Sequence, residues 1–157
     1  KGSEILKELI LQYGGELEFN IYSRNKNIFK GLDCKFKKVE HKNVFREMLK
    51  MDILLYVTKL DEENNHAKYT SPLKIYEYIS TLRPILYMPA GDLRMELKDT
   101  IAIPFKNIID FKISLNKIIS LNNPSILIKN TIKISTDKTW DKRVQDIKKI
   151  ILKYFNY

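Results

Sequence analysis

Two periods of hydrophobicity alternate along the chain. Residues 3–13 carry Ile5, Leu6, Leu9, Ile10 and Tyr13 at the spacing that lines one face of a helix. Gly14-Gly15 then offers a helix stop. Leu17, Phe19 and Ile21 alternate with polar residues, as a half-buried strand does. After a polar loop comes a short run at 36–39, then Val44, Met48 and Met51 at helical spacing. Ile53-Leu54-Leu55-Tyr56-Val57 is continuously apolar, the mark of a strand covered on both faces. Residues 58–70 are hydrophilic and read as a loop. A helix from Ser71 to about Leu82 leads into a second buried strand, Pro84 to Met88. Pro89-Ala90-Gly91 turns the chain, and Asp92 suits the cap of a short helix. Ile101–Ile103 reads as a small strand and 110–121 as a helix with Phe111, Leu115, Ile118 and Ile119 inward. Residues 122–138 fit neither period. A last helix from Thr139 places Trp140, Val144, Ile147, Ile151 and Tyr154 on one stripe, with Trp140 expected to pack into the core and the end of the stripe to meet either the core or another domain.

Helices alternating with short apolar strands imply βα units and a parallel sheet. The expected fold is α/β: one Rossmann-like, three-layer domain over 1–157 with a parallel sheet of five or six strands. Ligands of such sheets bind outside the carboxyl ends of the strands. The segments after Val57 and after Met88 are therefore where function is sought.

Composition narrows this little. The chain has 157 residues, 44% hydrophobic and 30% charged, an ordinary globular balance. No apolar run reaches the roughly 18 residues of a membrane helix, and no signal peptide is visible. Cys34 is the single cysteine and cannot pair within the chain, which suits a reducing, cytoplasmic setting. The net charge of +9 invites an anionic partner: nucleic acid, a membrane face or a phosphorylated small molecule. The lysines are dispersed, with no basic arm, which argues against nucleic acid and leaves a phosphorylated ligand or peripheral contact with a membrane's cytoplasmic face. His41 and His66 are too far apart, and too alone, for a metal site.

The informative stretch is Tyr69-Thr70-Ser71-Pro72-Leu73-Lys74-Ile75-Tyr76-Glu77-Tyr78. Ser71 is a good N-cap, and Pro72 fits the first helical position, where its missing N–H costs nothing. A helix start following a buried strand offers free N–H groups and a positive dipole end to an anion such as a diphosphate. Lys74 adds positive charge in the first turn, where the dipole favours a carboxylate; an external anion would explain it. Glu77 is flanked by Leu73, Ile75, Tyr76, Tyr78, Ile79 and Leu82, so the helix reads as buried all round. A buried carboxylate needs partners, and a ribose diol can donate both hydroxyls to it. The plainer reading is a Lys74–Glu77 pair on a solvated edge.

The run from Ser71 to Leu97, SPLKIYEYISTLRPILYMPAGDLRMEL, resembles the donor-site signature of the retaining, GT-B type glycosyltransferases of the large "group 1" family. Met51-Asp52-Ile53-Leu54-Leu55 is similar to the strand before that signature, and Arg83-Pro84-Ile85 to the approach to the next strand. Lys1-Gly2 resembles the opening of the family's first donor-domain helix, and Thr139-Trp140-Asp141-Lys142-Arg143 its closing helix. The resemblance implies a C-terminal donor-binding half of a GT-B enzyme, its N-terminal acceptor domain absent. It implies binding of a nucleoside-diphosphate sugar for transfer to an acceptor, without metal or cofactor, by a fragment inactive alone. Glu77 matches the ribose-binding glutamate and Lys1 the diphosphate lysine. Thr70, Ser71 and Leu73 match positions whose backbone N–H groups meet the phosphates, and the loop 40–44 around His41 matches the base-holding segment. Tyr69 stands where many members have a first, sugar-contacting glutamate. That departure leaves a second reading open: a non-catalytic nucleotide- or phosphate-binding module on the same fold.

Overall fold

A computed structural model describes residues 2–23, 26–58, 73–91, 93–121, 124–137 and 139–155. Among them, helices α1 (Ser3–Tyr13), α2 (His41–Met48), α3 (Leu73–Ser80), α4 (Leu93–Glu96), α5 (Ile108–Ile119), α6 (Ser125–Asp137) and α7 (Trp140–Phe155) surround five short strands. These are β1 (Asn20–Tyr22), β2 (Lys35–Lys37), β3 (Leu54–Tyr56), β4 (Ile85–Tyr87) and β5 (Ala102–Pro104). Every pairing is parallel, as the alternation of helix and strand requires. The strands hydrogen-bond as a pair, β1-β2, and a triple, β3-β4-β5.

The strand pleat sorts side chains into two helical layers. Leu86 and Met88 of the β4 segment face α1 and α5, packing with Leu9, Ile10, Phe111, Leu115 and Phe105. Phe105 and Phe111 meet edge to face at 79°, with centroids 5.4 Å apart. Ile85 and Tyr87 face the other way, onto Met48 of α2, Ile75 and Ile79 of α3, and Leu93 and Leu97 around α4. The structure is thus three-layered α/β, compatible with the Rossmann-like expectation. Among the described residues no helix is long and apolar enough to cross a membrane.

Several local readings change. Gly14 does end α1, but in right-handed backbone, φ −59°. The constraint there is space, since a Cβ would come within 3.2 Å of the Asp33 Cβ. Residues 125–137, inside the stretch that fits neither period, are helical, and Thr131 is their buried polar anchor. Its hydroxyl donates to Leu127 O at 2.7 Å and accepts from Ile101 N at 3.2 Å, serving the backbone at the start of β5. The apolar pattern of α6 is diluted by that hydroxyl. The last helix departs most. Trp140, expected in the core, is 70% exposed, and every described side chain of α7 from Trp140 to Lys153 is exposed. Its stripe packs on neither face of the sheet among the described residues.

Candidate functional site

The first residue of the site is Gly2. It sits before α1 with φ +79°, in the left-handed region that L side chains avoid. It is buried, and a Cβ there would lie 2.8 Å from the Val57 carbonyl oxygen and 3.2 Å from Thr58 Cα. Glycine therefore lets the start of α1 press against the chain leaving the carboxyl end of β3. Gly2 supplies no side-chain cap. The start of α5, at the same end of the sheet beyond β5, is closed differently: Asn107 Oδ1 accepts from Asp110 N at 2.9 Å. At the exit of β3 a helix N-terminus without such a cap is held by backbone contact alone.

The crossover helix α3 runs antiparallel to the strands it joins, so its first turn lies at this carboxyl end. It buries Ile75 and Ile79 and turns Lys74, Glu77 and Ser80 to solvent, one residue per turn at spacing three. The buried carboxylate expected from the flanking residues is thus corrected: Glu77 is exposed. Ile75, Tyr76, Tyr78 and Ile79 divide between the core and its margins, and their helical spacing leaves one solvent stripe open at Glu77. Nor do Lys74 and Glu77 pair, since among the described residues no hydrogen bond or ion pair engages either side chain. Both heads are free to meet a ligand. Tyr76, the neighbour, is committed to structure: its hydroxyl donates to Glu96 Oε2 at 2.6 Å, tying α3 to α4. Nothing in a separation of twenty residues announces that bond in the sequence.

His41 is exposed and begins α2, whose N-cap is Glu40 in extended backbone, so residues 41–44 form the first helical turn rather than a loop. Crossover geometry puts that turn at the carboxyl side of the sheet too. Leu73 is the first residue of α3. Lys1, Tyr69, Thr70 and Ser71 lie outside the described residues, as does Asp92 beyond the Gly91 turn. The approach to β4 is fixed by Arg83, whose guanidinium donates to Leu49 O at 2.5 Å and so joins α2 to the β4 strand.

A cleft of about 360 Å³ lies elsewhere, between the facing edges of β1 and β3. Phe19, Ile21, Ile53 and Leu55 line it, with Leu6 and Tyr78 contributed by the two helical layers. None of Lys74, Glu77 and His41 lines it. Its polar rim, Glu18, Lys50 and Asp52, belongs to the amino-terminal approaches to β1 and β3, and Glu18 is already paired with Lys35. The polar residues of α3 and this apolar cleft are therefore at different places, and the carboxyl end has the better claim to a polar ligand. Burial, and then the charge of Asp33, pushes the Cys34 thiol above its ordinary value, which disfavours the reactive thiolate. Among the described residues no three His, Cys, Asp or Glu side chains converge as metal ligands would.

Comparison with protein-family models, curated proteins and solved structures finds no match to this chain.

Proposed function

We propose that the carboxyl end of β3 and β4 is a nucleoside-diphosphate-sugar site, and that the chain is the donor-binding half of a glycosyltransferase. The observation that carries this reading is the placement of Gly2. It holds an N-terminus without a side-chain cap against the β3 exit, where α3 also begins with Lys74 and Glu77 unpaired. Backbone N–H groups and the dipole ends of α1 and α3 suit a diphosphate there. Lys74 adds a point charge to the same side. Glu77, one turn further along α3, accepts hydrogen bonds from a ribose diol. The resemblance of Ser71–Leu97 to the group 1 donor signature supports the same roles.

In the transfer step, the bond from the sugar's anomeric carbon to the diphosphate oxygen breaks and negative charge grows on the leaving group. Fixed N–H dipoles and Lys74 are worth most at that moment, because their orientation is set beforehand. The acceptor and its activating base would be supplied from outside this chain, so the chain alone binds donor without turning it over.

The test is calorimetric titration of the chain with UDP, GDP and CDP, repeated with Glu77→Ala. One nucleotide should bind saturably, and Glu77→Ala should weaken it at least tenfold while thermal unfolding is unchanged, since Glu77 is exposed. Absence of binding by all three nucleotides to the folded chain, or equal binding by the variant, overturns the assignment.

A further inference from the structure

The helix α7 spans 16 residues, a rod roughly 24 Å long. Trp140, Val144, Ile147 and Ile151 recur at the 4-3-4 spacing that aligns them on one face, and they are 70%, 48%, 48% and 45% exposed. Ile150, also exposed, widens the stripe. Among the described residues, no packing explains an apolar face of this length. Its opposite side carries Lys142, Lys149 and Lys153, while Arg143 and Lys148 flank the stripe. With Asp141 and Asp146 as its acids, the helix has five basic and two acidic side chains, a net +3 of the chain's +9. The Arg143 guanidinium lies 5.7 Å from the Trp140 ring centroid, at the edge of the apolar face.

An apolar stripe bordered by cations is complementary to an anionic bilayer surface. The stripe enters the boundary between headgroups and acyl chains, and the long lysine and arginine stems let their charges stay at headgroup level. An aromatic side chain at one end of the stripe is suited to that boundary. A membrane-crossing role is excluded for α7 by its seven charged residues and its length. Nucleic acid would use the charges but leave the stripe in water. We infer that α7 is an interfacial helix that docks the chain, apolar face down, on an anionic lipid surface.

Trp140 is the chain's single tryptophan, so its emission reports on this face alone. The intact chain is mixed with vesicles of phosphatidylglycerol and phosphatidylcholine, or of phosphatidylcholine only, and binding is read by flotation and by Trp140 fluorescence. Anionic vesicles should carry the chain upward and shift the emission to the blue. Neutral vesicles should bind at least tenfold more weakly. The double variant Ile147→Ser/Ile151→Ser should lose at least tenfold in binding with its unfolding temperature unchanged, both side chains being solvent-exposed. Arg143→Ser/Lys148→Ser, which removes the two cations flanking the stripe, should lose several-fold and become less sensitive to salt. No flotation on anionic vesicles overturns the inference, as does undiminished binding by the isoleucine variant. So does a self-associated species in sedimentation that the isoleucine variant dissolves, which would assign the stripe to a second copy of the chain.

Discussion

Three glycines differ in what a methyl group would meet, and together they test whether α1 is pressed on the β3 exit. Gly15 has no atom within 4 Å of its missing Cβ, so Gly15→Ala should stay within about 0.5 kcal/mol of the parent. Gly31 has φ +81° but open space around it, so Gly31→Ala should cost only the left-handed strain, about 1–2 kcal/mol. Gly2 has φ +79° and the Val57 carbonyl oxygen 2.8 Å from the added carbon. The Val57 and Thr58 backbone atoms cannot rotate away as a side-chain end can, so an overpacking cost of about 1–3 kcal/mol adds to the strain. Gly2→Ala should therefore lose about 2–5 kcal/mol, equivalent to roughly 6–15 °C in unfolding temperature for a domain of this size. Urea unfolding followed by circular dichroism measures all three on one scale. A Gly2→Ala variant no worse than Gly31→Ala would refute the close approach to Val57. One as mild as Gly15→Ala would refute the left-handed conformation itself.

Thr131→Val keeps the shape but leaves the Ile101 N–H without its 3.2 Å acceptor, so it should destabilise by about 1–3 kcal/mol, while Thr131→Ser should recover most of that; denaturant melts of both decide it. Because burial and Asp33 raise the Cys34 thiol above its ordinary value, iodoacetamide should alkylate the native chain more slowly than the urea-unfolded chain near neutral pH. The native rate should climb at a higher pH than the unfolded rate does. Equal native and unfolded rates would contradict the burial.

Much of the fold is legible in the pattern of side chains. The continuous run 53–57 and the run 84–88 read as buried strands, and β3 and β4 lie inside them; β4 is buried throughout, whereas in β3 only Leu54 is. The stripe of Leu9, Ile10 and Tyr13 fixed which face of α1 turns inward. The carboxyl end of the sheet could be named as the place for a ligand because strand direction in βα units is set by chain connectivity. The burial of Glu77 was misread for a definable reason. Counting apolar neighbours along the chain overstates enclosure, since positions three apart on an α-helix lie near one face and can keep one row open. Lys74, Glu77 and Ser80 occupy that row. The role of Thr131 was hidden because a lone threonine within a helix gives no sign that a strand N–H needs it.

The sequence by itself determined most of the elements, their alternation and the parallel sense of the strands, though not the helix α6, because hydrophobic period and connection length are local properties. It also determined that α7 would carry an apolar stripe. Only the tertiary structure decided that this stripe is left uncovered, that Gly2 meets Val57, and that the β1 and β3 edges face each other across a cleft. Each of these depends on which surfaces are already occupied when distant segments pack, and no single segment of the chain contains that information.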